Sequence, residues 1–244
     1  MTDELFREDS TLRECRATVL ALAEGGVILD RTVFYPLGGG QAGDRGALQW
    51  ADGHSVAIVD ARKSKEHPGA VLHLLAPGAD PSALHPGMTV TAQIDWVRRQ
   101  RHMRFHTSTH LLCALVPHPV DGCSITADYA RLDFHMTEPL DKEALTAGIA
   151  RLVAEAHAVR HRWISEAELD ANPGLVRSMS VQPPRGLGRV RVLEIEGVDL
   201  QPCGGTHVSN TAEIGAVVVT KIEKKSAMTR RVVLGFAEPA AGRS

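Results

Sequence analysis

Residues 104–112 read RFHTSTHLL, and this stretch sets the division of the chain. It lies in a run from Trp96 to Val116 that contains neither glycine nor proline, with Asp95 in front of it and Pro117 and Pro119 behind. An aspartate before such a run is an N-cap and prolines end it, so a helix is predicted from 96 to about 116. A helix turns once in about 3.6 residues, so His106 and His110, four positions apart, project from one face. On the N-terminal side the pattern changes to short β-branched runs separated by turn signals. ATVLAL, the turn Glu24-Gly25-Gly26 and VILDRTVF form one hairpin, and ALQW, Ala51-Asp52-Gly53 and HSVAIVDAR form another. AVLHLL and MTVTAQI bring the count to about six strands, the signature of a small antiparallel β-barrel or sandwich over residues 1–95. On the C-terminal side, a hairpin (SITADYARLDFHM) precedes a helix that opens at EPLDKEAL and runs to about Val159. Strands follow at RHRWI and near 189–196, 214–223 and 230–236. Residues 96–244 therefore form an α+β domain, with helices packed on an antiparallel sheet.

At 244 residues, with 43% apolar and 23% charged side chains, the chain is long enough for two modest domains, each with a core. The acidic start MTDELFREDS lacks the basic region and apolar run of a secretory signal, and no long uncharged apolar stretch follows, so the expected compartment is cytoplasmic. Four scattered cysteines do not make a disulfide framework, which leaves a thiolate ligand as the use for at least one. A formal charge of -2 gives no global attraction for nucleic acid. Contact with a polyanion must come from local patches, RRQRHMR (98–104) and KIEKKSAMTRR (221–231), each of which taken alone reads equally as a solvated face.

A second cluster, QPCGGTHVSN, again places two metal-ligand types four apart, Cys203 and His207. With twelve histidines in the chain, neither pair alone is informative. Together they supply three imidazoles and one thiolate, a donor set suited to tetrahedral Zn2+. Three readings stay open: a closed structural site, histidines that satisfy the core, or a catalytic centre that keeps a position for water. The third feature, FYPLGGGQAGDRG (34–46), has glycines that permit positive φ and a glutamine that both donates and accepts. It lacks the G-K-[ST] of a phosphate loop, and a barrel corner explains the glycines as well as a binding loop does.

Taken in order, FYPLGGGQAGD, HTSTHLL and CGGTHV resemble the free-standing AlaX editing proteins, relatives of the editing domain of alanyl-tRNA synthetase. The lead-in DW..R..HM and the trailing NTAEIGAVVVTKIEKK extend the resemblance over roughly 34–236. It implies a β-barrel-like domain followed by an α+β editing domain, a zinc ion held by His106, His110, Cys203 and His207, and hydrolysis of wrongly charged tRNA(Ala). Gln41 corresponds to the glutamine of the family's G-G-Q motif near the amino-acid pocket, and this turn places the chain with the medium-length members. The chain is expected to act in trans; its oligomeric state is not legible, and a monomer suffices. Where family members alternate glycine and basic residues after KIEKK, this chain has Ser226-Ala227-Met228 before Arg230-Arg231.

The implied substrate is an aminoacyl ester, already activated toward water. A metallopeptidase helix would carry glutamate after its first histidine; here that residue is Thr107, so no general base is built into the helix. A synthetase pocket shaped for alanine rejects serine and glycine poorly, because one small group is worth only about 1–3 kcal/mol. A second site that hydrogen-bonds the serine hydroxyl reverses the preference, since alanine would leave that partner unpaired. Gln41, Thr107 and Thr109 are the candidates, although a threonine hydroxyl bonded back to its own turn is the competing reading. The expected activity is hydrolysis of Ser-tRNA(Ala), with Gly-tRNA(Ala) as a further substrate. The alternatives are a deacylase for another mischarged or non-standard amino acid and a non-catalytic tRNA-binding zinc module.

Overall fold

The computed structural model describes residues 1–237 apart from 24, 180, 181, 184 and 187. Glu24, expected in the first hairpin turn, thus lies outside the described residues. The chain forms two compact units, Met1–Gln100 and Arg101–Ser244.

The first unit is an antiparallel barrel of the strands β1 (Glu14–Ala23), β2 (Gly26–Leu29), β3 (Gly46–Gln49), β4 (Ser55–Lys63), β5 (Val71–Leu75) and β6 (Thr89–Ile94). They close in the order β1-β2-β5-β4-β3-β6, with β6 returning to β1. Closure removes the unpaired edges that a small open sheet would expose. Alternate residues fill the interior: Val27, Leu29, Leu48, Ile58, Ala61, Val71, Val90 and Ala92 form one buried cluster. One histidine belongs to this core. His73 is fully buried, with Nδ1 3.0 Å from the Val27 carbonyl and Nε2 2.7 Å from the Thr32 hydroxyl. Burial lowers its pKa to about 4, so it is neutral and serves packing.

The helix α1 spans Trp96–Leu115, and Asp95 Oδ1 accepts a bond from the Arg98 backbone N–H at its start. One turn in, Arg99 is fully buried and donates through Nε (3.0 Å) and Nη2 to Asp44 Oδ2. Its Nη1 and Nη2 also bond the carbonyls of Ser10 (3.0 Å) and Val33 (2.6 Å). The same Asp44 Oδ2 also accepts from the Tyr35 backbone N–H (2.7 Å), which locks the start of the glycine-rich turn.

In the second unit, β7 (Val120–Ile125), β8 (Ala130–His135), β12 (Val217–Ser226) and β13 (Thr229–Phe236) form an antiparallel sheet ordered β12-β13-β8-β7. A smaller sheet joins β9 (Val159–Ser165), β10 (Arg189–Ile195) and β11 (Asp199–Pro202). The helix α2 (Lys142–Ala154), capped by Asp141, lies on the large sheet, where the Val219 N–H bonds the Thr146 hydroxyl (3.1 Å). Its Gly148 permits close approach to α1: a Cβ there would stand 2.9 Å from a methyl of Leu115.

The α+β class and the N-terminal barrel are as the sequence predicts. The second helix is shorter than predicted. It stops at Ala154, because Ala156 adopts a left-handed conformation (φ 55°) and Val159 already pairs with Ile195 in the small sheet. Strand β11 was not anticipated; its four residues, DLQP, show no alternation long enough to signal a strand. Among the described residues no helix is long and apolar enough to cross a membrane.

Replacing Arg99 by alanine would strand the Asp44 carboxylate and two carbonyls inside the first unit. The expected loss is about 3–5 kcal/mol of unfolding free energy in urea titration, partly recovered when Asp44→Leu is combined with Arg99→Met.

Candidate metal centre

One helix face and one loop build the centre. His106 and His110 extend from α1, and Cys203 and His207 from the CGGTH loop that follows β11. The loop is fixed from the neighbouring strand: Arg191 of β10 donates through Nη1 to the carbonyls of Cys203 (2.9 Å) and Gly205 (3.2 Å), and the Cys203 N–H bonds the Arg191 carbonyl (3.1 Å). One potential ligand atom from each of the four residues lies within 4.8 Å of the others. The three imidazoles are buried. Cys203 Sγ is 3.4 Å from His106 Nε2 and 3.2 Å from His207 Nε2. A tetrahedron with metal–sulfur and metal–nitrogen bonds of about 2.3 and 2.0 Å has sulfur–nitrogen edges of roughly 3.5 Å, so the donors present fit a metal ion.

The outer nitrogens of two rings are also held. His110 Nδ1 donates to Asp199 Oδ2 at 2.9 Å, and the same oxygen accepts from Gln201 Nε2 at 2.8 Å. Arg177 Nη2 stands 3.5 Å from Asp199 Oδ1. Thr107 spends its hydroxyl proton on the Met103 carbonyl (2.9 Å), so its oxygen accepts from His207 Nδ1 (3.2 Å) and from the Val208 N–H (3.3 Å). In both rings this arrangement leaves Nε2 for the centre, the pattern by which second-layer groups orient metal-binding histidines.

Electrostatics select one cysteine of the four. Burial would raise the Cys203 thiol, but the imidazoles of His106 and His207 beside it bring it well below its ordinary value. Burial would lower His110, yet its bonds to Asp199 and Cys203 raise it to about 9. Burial, reinforced by His106, lowers His207 well below the usual imidazole range. Cys113 and Cys123 are pushed up to about 12 by burial and stay protonated. All four cysteines are free.

The structure thus brings His106, His110, Cys203 and His207 together. Thr109 donates to the His106 carbonyl (2.7 Å) and is buried in α1. Gln41 closes a two-residue turn in the first unit, exchanging backbone bonds with Gly38 (3.1 and 2.9 Å) around Gly39 (φ 57°) and Gly40 (φ 85°). Two central residues at positive φ make this a type I′ turn, which requires the glycines, and the Gln41 side chain is fully buried. Asp199, Gln201, Arg177 and Arg191 lie outside the motifs legible in the sequence. Of these only Asp199 had a local signal, a carboxylate four residues before a candidate ligand.

Of the arginines preceding His106, Arg99 is buried, and Arg101 and Arg104 are engaged within the second unit. In the second unit Arg101 and Arg104 place their guanidiniums 4.6 and 4.1 Å from the ring centroid of Phe236. Their Nε atoms bond the carbonyls of Ala127 (2.5 Å) and Ile214 (2.7 Å).

Residues 190–233 match the family described as threonyl and alanyl tRNA synthetase second additional domain. Residues 8–98 match the family described as tRNA synthetases class II (A). The alanyl-tRNA editing protein AlaX-M of Methanosarcina mazei is 34% identical, over 99% of each chain. That of Saccharolobus solfataricus is 31% identical, over 95% of this chain and 98% of the relative. The alanine–tRNA ligase of Pyrococcus furiosus is 34% identical over 98% of this chain, which spans 26% of the ligase. With this similarity running almost from end to end of both Methanosarcina and Saccharolobus proteins, the chain belongs to the AlaX-M family of alanyl-tRNA editing proteins.

Proposed function

We propose that the protein is an aminoacyl-tRNA deacylase that removes serine, and also glycine, from mischarged tRNA(Ala), with Zn2+ held by His106, His110, Cys203 and His207. The observation that carries this reading is the convergence of a thiolate-prone cysteine with three imidazoles, two of them already turned so that Nε2 faces the centre. Bound zinc supplies a Lewis acid able to polarise an ester carbonyl or to lower the pKa of water.

The side chains of the protein hold, orient and discriminate. Asp199 fixes the His110 ring, and Thr107 fixes that of His207. Neither is available as a general base, since Asp199 is already bonded to His110 and Gln201 and the residue after His106 is a threonine. An aminoacyl ester needs less assistance than a peptide, which suits a centre without a carboxylate base.

The hydroxyl accounting separates the two threonines. Thr107 donates once and accepts twice, so its bonding capacity is full. Thr109 donates to the His106 carbonyl and keeps its acceptor lone pairs, which can receive the proton of a seryl hydroxyl. We therefore assign discrimination to Thr109 and positioning of His207 to Thr107. Gln41 is assigned to discrimination by its place in the G-G-Q motif, with a buried amide that both donates and accepts.

A non-catalytic tRNA-binding module with a structural zinc is the second reading, favoured by the presence of four protein donors, enough to fill a tetrahedron. A deacylase for a non-standard amino acid is separated from the serine enzyme by the acyl group removed.

Incubation with labelled Ser-tRNA(Ala) and Ala-tRNA(Ala) should release serine and spare alanine; equal release from both, or none from either, rejects the proposal. Chelation should abolish hydrolysis, and added Zn2+ should restore it. Cys203→Ala should lose both the metal and the activity, measured as bound zinc and released serine. Asp199→Asn should weaken zinc binding by about 10–100-fold in a chelator competition while the chain stays folded. Thr109→Val should reduce serine-over-alanine discrimination by roughly tenfold, about 1–1.5 kcal/mol, whereas Thr107→Val should act chiefly on zinc affinity.

A further inference from the structure

The carboxylate behind His110 has two oxygens in different surroundings. Asp199 Oδ2 is occupied by His110 Nδ1 (2.9 Å) and Gln201 Nε2 (2.8 Å). Oδ1 is buried, and among the described residues no hydrogen-bond donor reaches it. The cation that faces it is the Arg177 guanidinium, with Nη2 at 3.5 Å, and the Asp199 side chain is 1% exposed. A carboxylate held through one oxygen alone can turn about its Cβ–Cγ bond and carry that oxygen off the imidazole. An ion pair on the far oxygen resists this rotation. It also meets the charge of a buried carboxylate, which the amide of Gln201 cannot do.

Arg177 is in turn held by the helix that carries the histidines. Inside a helix the Cys113 carbonyl would accept from the N–H four residues on. That residue is Pro117, which has no N–H, and the Val116 N–H is already spent on the Leu112 carbonyl (2.9 Å). The proline that ends α1 therefore orphans a carbonyl one turn beyond His110. Arg177 Nη1 donates to that carbonyl. The backbone of the arginine is fixed from a third side, because its carbonyl accepts from the Val120 N–H (2.9 Å), and the Val120 carbonyl accepts from the Met179 N–H (2.9 Å). Two arms of one planar guanidinium thus join the end of the histidine helix to the carboxylate that orients one of its rings.

We propose that Arg177 is a positioning residue for the metal centre, acting through Asp199: it keeps the carboxylate turned so that Oδ2 holds the His110 ring with Nε2 toward the other donors. The proposal rests on the reading of the four-residue cluster as a zinc site. The competing role is plain capping, a cation placed at a helix C-terminus.

The test is a double-mutant cycle on the full chain, read as zinc affinity in a chelator competition and as unfolding in urea. Arg177→Gln offers the Cys113 carbonyl a neutral donor and removes the charge facing Asp199. It should weaken zinc binding roughly tenfold. In an Asp199→Asn background the same change should alter affinity by less than about twofold, because the charge through which Arg177 acts is gone. Capping alone predicts a different pattern, in which stability in urea falls equally in both backgrounds and affinity changes by the same factor in each. Arg177→Lys keeps the charge and should recover most of the affinity lost in Arg177→Gln, although one nitrogen does not reproduce the two-armed contact. The inference is overturned if Arg177→Gln binds zinc as tightly as the unaltered chain, if the two losses multiply in the double variant, or if Arg177→Lys recovers nothing. Coupled zinc affinities without release of serine from Ser-tRNA(Ala) would instead defeat the deacylase reading and leave the role of Arg177 standing.

Discussion

A thiolate surrounded by buried imidazoles is the constraint on which the second unit depends. Burial works against charge on every one of these groups, yet the three rings bring the Cys203 thiol well below its ordinary pKa, and His110 is raised to balance it. A divalent cation resolves the same conflict more completely, since each donor then faces positive charge rather than a proton. The surrounding contacts are compatible with such an ion: Asp199 and Thr107 occupy the outer nitrogens of two rings, and Arg191 pins the loop that carries the thiol.

The helix turns this electrostatic arrangement into a rigid one. A spacing of four residues puts His106 and His110 on one face, and the residue after the first histidine, Thr107, reaches across to His207. Its hydroxyl, tied to the preceding turn, is spent on architecture, while that of Thr109 has acceptor capacity left. Two threonines of the same helix thus differ in acceptor capacity because the hydroxyl of Thr107 meets a neighbour from the CGGTH loop.

Charge shows the same dependence on context. The arginines at 98–104 and the cations at 221–231 look alike as composition. Arg99 is buried against Asp44, and Arg101 and Arg104 lie over Phe236, where their contribution is packing and carbonyl bonding. On the sheet, Lys221 and Lys225 stay more than half exposed, whereas Arg231 is drawn down onto the buried carboxylate of Asp133.

The sequence by itself determined the barrel, the limits of the first helix and the four residues that the fold gathers into one cluster. These rest on local signals: β-branched runs between turns, an aspartate before a helix and prolines after it, two ligand pairs at helical or loop spacing, and three motifs in register. The three consecutive glycines before Gln41 also announced a turn, whose type I′ form follows from positive φ at Gly39 and Gly40. Only the tertiary structure decided the end of the second helix, where pairing of Val159 with Ile195 overrides helical propensity. It alone revealed strand β11, and with it the place of Asp199 behind His110. It alone decided which arginines are spent and which cations remain exposed. The reason is physical: spacing along a chain fixes which side chains share a face, but a hydrogen bond or an ion pair between distant segments depends on where the fold brings its second partner.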